Sequence, residues 1–327
     1  MNNIECEDKE LTYGVDLISV IIPTYNRKSY LMEAIDSVLK QNYSNIEILI
    51  VDDNSIDGTG ELICNNYKNY DNIYYFKNNI NKGPGYNRLK GFNKAKGKYI
   101  VFLDDDDYYT DYNFFGDAIK KFNENSNLSF VSANNYIKKE GKDELIESIL
   151  NFNKKVTCVE YLNNFQTVKY PKPQSTFTTI FNKKILEYVN LNEVKMVNDT
   201  IIYLRALLGG NPEFIKNIVG VYRIHNNNTI GMDNIVDGNI INEKKQRVNE
   251  RIEQTKAQIE NVNFTLGLEL NREQKKYCLK YKDYLTQRVL MMKEKKACSL
   301  ILYFLKGKYK GFGRVKTFLG DLVNIIK

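Results

Sequence analysis

The chain has 327 residues, of which 43% are hydrophobic and 27% charged, so it can bury a substantial core. Its five cysteines are widely spaced, with no C-x-x-C pair, which argues against a disulfide framework or a zinc site and fits a reducing cytoplasm. Residues 1–14 are acidic and lack the apolar core of a signal peptide, and no run of about 18 apolar residues is present that would span a bilayer.

The net charge of +7 originates in the C-terminal part of the chain. Residues 236–327 contain 20 Lys and Arg against 10 Asp and Glu, whereas the preceding residues contain 27 against 30. We therefore expect an N-terminal extension over residues 1–16, one large domain over residues 17–235, and a helical basic region over residues 236–327. The basic region has no recognisable nucleic-acid-binding motif, so we expect no nucleic-acid partner.

Apolar strand patterns alternate with helical patterns through the first 130 residues. This alternation predicts βαβ units and an α/β fold with a mostly parallel, Rossmann-like sheet and flanking helices. The predicted elements are strands at Leu17–Ile22, Ile46–Val51, Ile73–Phe76 and Lys98–Leu103, and helices at Ser29–Gln41, Gly60–Asn66 and Gly85–Ala95.

Beyond residue 127 the predicted order is less regular. The predicted elements are strands at Leu128–Ile137, Ser175–Phe181 and Phe214–Ile224, a helix at Val197–Leu208, and long helices at Asn242–Val262 and Arg272–Ala297. The two long helices have charged faces. We expect this C-terminal region to pack against the large domain or against another subunit of a homo-oligomer, or to lie on an anionic membrane surface.

Three predicted strands in the first 107 residues end in polar clusters: PTYNR (Pro23–Arg27), VDDNSIDGT (Val51–Thr59) and FLDDDD (Phe102–Asp107). In a parallel sheet these ends share one edge, where ligands of open α/β sheets bind. Adjacent carboxylates repel one another unless a cation lies among them, and Mg²⁺ or Mn²⁺ is the usual cation beside substrate phosphates. This edge is therefore a candidate nucleoside diphosphate and metal site, although an isolated acidic run is also typical of a solvated turn.

Two common nucleotide-binding classes are disfavoured by the motifs that are missing. No G-x-G-x-x-G follows the first strand, and no G-x-x-x-x-G-K-[ST] is present anywhere in the chain. The sequence therefore does not favour a Rossmann dehydrogenase or a P-loop NTPase.

The segments SVIIPTYNRKSYLMEAIDSVLKQNYSNIEILIVDDNSIDGT and NKGPGYNRLKGFNKAKGKYIVFLDDDD resemble the inverting family 2 glycosyltransferases of the GT-A fold, over roughly residues 17–225. The resemblance implies that residues 17–235 are a catalytic domain, which transfers one sugar from a nucleotide-sugar, UDP-linked by family habit. The acceptor would be a hydroxyl of a glycan, a lipid-linked glycan or a glycoprotein. The Q-x-x-R-W motif of processive synthases is missing, which favours one sugar per encounter.

The same resemblance implies a bacterial cell-envelope or capsule product and an enzyme in the cytoplasm or on the inner face of the membrane. It also implies roles for individual residues. The residues that would bind the nucleotide are Pro23, Thr24, Tyr25, Asp53, Arg88, Asp104 and Asp105. Asp106 would bind Mn²⁺ or Mg²⁺ directly, with His225, the only histidine, as a further ligand. Asp107 is a candidate N-cap of the following helix.

Asp199, in MVNDTIIYLRALLGG, matches the general base that takes the proton of the acceptor hydroxyl. The chain departs from the usual Glu-Asp pair by having Asn198 in the first position, and the helix dipole alone would also favour an acidic residue here. Two other classes stay open. A sugar nucleotidyltransferase would need a Gly-rich basic loop after the first strand, and the joint presence of Asp53, Asp106 and Asp199 argues against a non-catalytic partner subunit of another transferase.

Overall fold

A computed structural model describes residues 16–225, apart from 151, 153–154, 166–168 and 195–196, and isolated positions between 253 and 286. These isolated positions are helical except Gly267. Most residues of the two predicted C-terminal helices, and the extension over residues 1–15, lie outside the described residues. Among the helices of the described part, none is long and apolar enough to cross a membrane.

The first half of the sheet is parallel, as the βαβ pattern predicts. Its strands are β1 (Ile18–Thr24), β2 (Ile46–Asp52), β3 (Ile73–Lys77) and β4 (Tyr99–Phe102), in the order β3-β2-β1-β4. Every residue of β1, β2 and β4 is buried, which explains why these strands read as nearly continuous apolar runs. The connecting helices are α1 (Lys28–Leu39), α2 (Thr59–Asn66) and α3 (Pro84–Lys94). All seven elements begin and end within two residues of the predicted positions.

The second half of the sheet is mixed. Its strands are β5 (Tyr108–Tyr109), β6 (Leu128–Lys139), β7 (Leu145–Glu147), β8 (Thr179–Asn182) and β9 (Asn211–Ile224). The order continues from β4 as β8-β6-β9-β5, with β7 paired to β6. β8 is antiparallel to β4 and β6, whereas β6 and β9 are parallel, and β9 is antiparallel to β5.

The helices of the second half differ in how well the sequence predicts them. Helix α7 (Asp199–Gly209) agrees with its prediction within two residues. The segment Ser175–Phe181 is only partly a strand, because a 3₁₀ turn at Thr176–Thr178 precedes β8. The sequence predicts no bounds for three further helices, α4 (Phe114–Glu124), α5 (Cys158–Asn163) and α6 (Lys183–Tyr188).

Two apolar clusters cover the two faces of the sheet. Along β1, Ile18, Val20 and Ile22 pack on the face that α1 covers, whereas Ile21 packs on the opposite face with residues of α3 and α7. Successive residues of a strand point to opposite faces, so one strand contributes to both clusters. With both faces covered, the strand ends remain as the accessible part of the sheet.

Candidate active site

The turn that follows β1 is bonded to the turn that follows β2. Asn26 adopts a left-handed backbone conformation (φ 53°), which asparagine tolerates better than most residues. Its backbone N–H donates to Ser55 Oγ (2.9 Å), and its side-chain oxygen accepts from the N–H of Ile56 (2.9 Å). The sharp turn places Arg27 at the N-cap of α1, beside the aspartates that follow β4.

Asp53 holds the loop that leads into α3. Its carboxylate is 2% exposed and accepts from Asn78 Nδ2 (3.0 Å), Lys82 N (2.8 Å) and Gly83 N (2.7 Å). These bonds engage both carboxylate oxygens within the protein. The sequence predicts that Asp53 accepts a hydrogen bond from the nucleotide, and that role stays a prediction. In the structure Asp53 fixes the loop next to the expected nucleotide pocket.

The four consecutive aspartates after β4 contact side chains from several different elements. The contacts are Asp104 to Arg88 Nη2 (2.5 Å), Asp105 to Thr24 Oγ1 (2.7 Å), Asp106 to Arg27 Nη1 (2.9 Å) and Asp107 to Ser175 Oγ (3.1 Å). Desolvation raises the pKa of Asp104, against the opposing charge of Arg88. Burial raises the pKa of Asp107 well above its usual value. Arg27 and Arg88 reduce the charge repulsion within the acidic run, although burial keeps the pKa of Asp104 and Asp107 raised.

The prediction that Asp107 caps the following helix is wrong. Helix α4 begins at Phe114, and Asn113 occupies its N-cap position. Asp107 instead accepts hydrogen bonds from Ser175 Oγ and from the backbone N–H of Arg223, each at 3.1 Å. It thereby connects the end of β4 to β9 and to the segment before β8.

The two residues predicted to hold the metal lie together. Asp106 Oδ2 is 3.0 Å from His225 Nε2, and the two side chains are only 5% and 4% exposed. Adjacent ligands of an octahedral cation at about 2.1 Å also lie about 3 Å apart, so an oxygen and a nitrogen in this arrangement fit Mg²⁺ or Mn²⁺. The ring of Tyr30, from α1, stacks on the imidazole with centroids 5.3 Å apart and restricts its orientation.

A larger ligand group is not found in the described part of the chain. There, no set of three or more His, Cys, Asp and Glu side chains is arranged to hold a metal ion. In proteins Mg²⁺ is commonly bound by one or two carboxylates together with substrate phosphates. The Asp106–His225 pair is therefore the part of the site that could hold such a cation beside a diphosphate.

Arg27, for which the sequence predicts no role, bridges two of the aspartates. Its Nη1 atom lies 3.1 Å from Asp105 Oδ1 and 2.9 Å from Asp106 Oδ2. Burial raises the pKa of Asp105 to about 7, while the positive charge of Arg27 acts in the opposite direction. The only sequence signal for this contact is the position of the arginine at the end of the PTYNR cluster.

Asp199 lies at the start of α7, and the Asn198 side chain caps this helix by accepting from the N–H of Ile201 (3.1 Å). Lys172 Nζ is 3.5 Å from Asp199 Oδ2, and Arg88 Nη2 is 3.8 Å from Asp199 Oδ1. Desolvation acts to raise the pKa of Asp199, but Lys172 and Arg88 outweigh it, so the pKa is lowered. The carboxylate is therefore ionised near neutral pH, as a proton acceptor must be.

Arg88 connects the predicted base to the aspartates. It contacts Asp104 at 2.5 Å and Asp199 at 3.8 Å, and its side chain is 9% exposed. Its Nε atom is buried without a hydrogen-bond partner among the described residues. The two carboxylates it links are about 30% exposed, which makes them more accessible than Asp105 and Asp106.

Lys172 is the second functional candidate that the sequence does not predict. It lies between Pro171 and Pro173, and the hydroxyl of Tyr161 donates to the carbonyl of Pro171 (2.5 Å). The ammonium group also lies over the ring of Tyr203, 5.3 Å from its centroid. No local pattern marks this lysine, because its contact with Asp199 joins segments 27 residues apart.

Residues 19–199 match the family described as "Glycosyl transferase family 2". The chain belongs to this family. The match extends from β1 to the first residue of α7. It therefore includes the aspartates after β4 and Asp199, but it ends before β9 and His225.

Two similar curated members of glycosyl transferase family 2 are glucosyltransferases by name. The GalNAc(5)-diNAcBac-PP-undecaprenol beta-1,3-glucosyltransferase of Campylobacter jejuni is 30% identical over 218 residues, which cover 65% of this chain and 66% of that protein. The UDP-Glc:alpha-D-GlcNAc-diphosphoundecaprenol beta-1,3-glucosyltransferase WfaP of Escherichia coli is 39% identical over 126 residues, covering 38% and 49%. The matched segments thus span no more than about two thirds of these relatives.

Two solved structures with bound nucleotide-sugars share the fold. S. aureus TarS 1-349 in complex with UDP-GlcNAc has a TM-score of 0.57 at 20% identity, covering 84% of this chain and 72% of that chain. The mannosyltransferase PcManGT from Pyrobaculum calidifontis, in complex with GDP-Man and Mn²⁺, has a TM-score of 0.53 at 14% identity, covering 94% and 85%. The predicted GT-A fold is confirmed by these likenesses.

Proposed function

We propose that this family 2 glycosyltransferase transfers one glucose residue from UDP-glucose to a hydroxyl group of a polyprenyl-diphosphate-linked glycan. The observation that carries the proposal is the contact of Arg88 with both Asp104 and Asp199, which connects the aspartate cluster to the predicted base. The names of the two bacterial relatives support glucose as the sugar and a lipid-linked sugar as the acceptor.

The nucleotide would lie along the ends of β1, β2 and β4. The residues proposed to border it are Pro23, Thr24, Tyr25, Asp53, Arg88, Asp104 and Asp105. Tyr25 is 47% exposed beside this edge and offers an aromatic face to a base. The buried Nε of Arg88 offers a donor to a ligand oxygen.

In the proposed reaction Asp199 accepts the proton of the acceptor hydroxyl. The acceptor oxygen then forms a bond to the anomeric carbon, on the face opposite to the diphosphate. The bond between that carbon and the diphosphate oxygen breaks, and UDP leaves with the electron pair. Because the attack inverts the configuration, an α-linked donor gives a β-linked product, which agrees with the "beta" in the names of both relatives.

The leaving diphosphate needs positive charge near the aspartate cluster. Arg88 can supply part of this charge, because it contacts Asp104, which is proposed to border the nucleotide. A divalent cation held by Asp106 and His225 would neutralise further charge on the diphosphate.

The test is glucose transfer by the purified protein to a synthetic polyprenyl-diphosphate-linked GlcNAc, with and without Mn²⁺, alongside a binding screen over UDP-, GDP- and dTDP-sugars. We expect Asp199→Asn to keep UDP binding and to lower kcat by about 10²–10⁴-fold, which is the usual contribution of a general base. We expect Asp106→Asn to lose the dependence of UDP binding on Mn²⁺. Asp117→Asn, at a partly exposed carboxylate of α4, is the control and should behave as the wild type.

Two outcomes would contradict the proposal. Folded protein that binds none of these nucleotide-sugars would favour the non-catalytic partner subunit. Full turnover by Asp199→Asn would remove Asp199 from the role of base.

A further inference from the structure

We propose that Arg27 is the resident counter-ion of Asp105 and Asp106 in the ligand-free protein, and that it leaves Asp106 when a divalent cation and the donor diphosphate bind. The inference rests on the proposed function, because it requires a cation at Asp106. It assigns a role to a side chain that the proposed mechanism does not use.

The first argument is that two partners share one oxygen. Asp106 Oδ2 lies 2.9 Å from Arg27 Nη1 and 3.0 Å from His225 Nε2. A cation bound between Asp106 and His225 would approach the same Oδ2 atom that the guanidinium contacts. A guanidinium and a metal cation that contact the same oxygen repel each other strongly. The cation and the Arg27 side chain therefore compete for Asp106 Oδ2.

The second argument is that Asp105 keeps its place without Arg27. The hydroxyl of Thr24 donates to Asp105 Oδ2 at 2.7 Å, whereas Arg27 contacts the other oxygen, Oδ1, at 3.1 Å. The carboxylate is therefore still hydrogen-bonded to β1 after the guanidinium has moved. Loss of the Arg27 contact therefore leaves the Asp105 carboxylate in place and makes the charge around Asp105 and Asp106 more negative.

The third argument is the difference in exposure. The Arg27 side chain is 26% exposed, whereas those of Asp105 and Asp106 are each 5% exposed. The long arginine side chain can therefore reorient at the surface while the buried carboxylates stay in position. A guanidinium is also well suited to bind a diphosphate, because its donors match pairs of phosphate oxygens. The displaced Arg27 thus has a new anionic partner once the donor is bound.

Exchange of counter-ions has a thermodynamic consequence. Without nucleotide the cation has to displace Arg27, which weakens its binding. With UDP present the released guanidinium pairs with the diphosphate, and the cation binds more tightly. Coupling of this kind is reciprocal, so the cation must increase UDP affinity by the same factor as UDP increases cation affinity.

The test measures Mn²⁺ binding to the full chain by electron paramagnetic resonance of free Mn²⁺, without nucleotide and at saturating UDP. We expect Arg27→Met to bind Mn²⁺ alone about three- to tenfold more tightly than the wild type, since one competing charge is removed. The enhancement of Mn²⁺ binding by UDP should decrease by a similar factor. Lys28→Met removes the same charge from the next residue, whose side chain is exposed, and should match the wild type within about twofold.

Arg27→Gln provides a second neutral variant if Arg27→Met is not folded, as judged by circular dichroism and thermal unfolding. The inference is overturned if the neutral variants bind Mn²⁺ no more tightly than Lys28→Met, or less tightly. The failure of the proposed function gives a different result, in which the wild type binds neither Mn²⁺ nor UDP when both are present. Normal binding by the wild type with an unaltered Arg27 variant contradicts only the counter-ion exchange.

Discussion

At the residue scale, the state of Asp199 is determined by side chains from other segments. Lys172 comes from the segment before β8 and Arg88 from α3, and both lower the pKa of Asp199. A lower pKa keeps the carboxylate ionised but also makes it a weaker base. The two side-chain cations, Lys172 and Arg88, therefore favour the ionised form that the proposed base needs, at the expense of its basicity.

Lys172→Met tests whether Lys172 controls the protonation of Asp199. The substitution removes the larger of the two charge effects that lower the pKa of Asp199, so we expect the pKa to rise. In its proposed role as base Asp199 must be deprotonated, so the fall of kcat on the acidic side should move to higher pH. We expect the relative loss of kcat to be larger at pH 5 than at pH 8. The measurement is the pH profile of glucose transfer.

UDP affinity separates this role from a direct role in donor binding. Lys172 contacts Asp199 and not the aspartates after β4, so Lys172→Met should bind UDP as the wild type does. Lys184→Met, at an exposed position of α6, is the matched control. An unaltered acidic limb in Lys172→Met would show that the lysine does not control the protonation of Asp199.

The sequence predicts the residues of the candidate site better than it predicts the side chains that contact them. The positions of polar clusters at strand ends and the family resemblance together assign Thr24, Asp106, Asp199 and His225 to one site. The structure brings these residues to one edge of the sheet. Arg27 and Lys172 could not be assigned in this way. Their contacts depend on side-chain reach across separate segments, which neither periodicity nor spacing encodes.

At the element scale, α3 packs so closely on β1 that only glycine fits at one position. A Cβ atom on Gly91 would lie 2.3 Å from Ile21 Cγ2, whereas one on Gly116, in α4, would meet no heavy atom within 4 Å. We expect Gly91→Ala to destabilise the protein by about 1–3 kcal/mol through overpacking. Gly116→Ala should stabilise it by about 0.5–1 kcal/mol, because alanine favours helix. Urea unfolding midpoints measure both changes.

The same pair of variants tests how firmly α3 positions the site. Arg88 lies on α3, one turn before Gly91, so a shift of the helix would alter its contact with Asp104. Weaker UDP binding is therefore expected for Gly91→Ala but not for Gly116→Ala. Equal stability and equal UDP affinity in the two variants would contradict the close packing of α3.

The elements also differ in how well the sequence predicts them. The buried strands of the parallel half are apolar on both faces, so their bounds are clear. The bounds of helix α4 are not predicted, although its buried residues have helical spacing: Phe114, Phe115, Ala118, Ile119 and Phe122. The order of β8, β6, β9 and β5 could not be predicted, because pairing between distant strands has no local pattern.

At the scale of the whole molecule, described positions of the C-terminal region contribute to the core around α7. Val262, Cys278 and Tyr281 belong to the apolar cluster around α7, and a cavity of only about 20 Å³ remains beside them. Gln274 Nε2 also donates to the carbonyl of Leu208 (2.7 Å). The described positions of this region therefore pack on the domain of residues 17–235, while contact with a membrane surface and self-association stay predictions.

Two neighbouring positions test this packing. Tyr281 is 5% exposed and Leu279 is 50% exposed. We expect Tyr281→Ala to reduce the free energy of unfolding by about 2–4 kcal/mol, because a buried aromatic ring is lost. Leu279→Ala should change it by less than about 0.5 kcal/mol. Equal effects in urea unfolding would mean that the C-terminal region is not docked as described.

The two halves of the sheet meet at a short junction. Only two residue pairs join β4 to β8, namely Tyr99 with Asn182 and Ile100 with Phe181. Arg27 and the aspartates lie at the strand ends of the parallel half, whereas Lys172, Asp199 and His225 come from a later stretch of the chain, residues 172–225. In evolutionary terms, most of the proposed nucleotide site and the proposed base are then encoded in different stretches of the gene, although His225 connects the later stretch to Asp106.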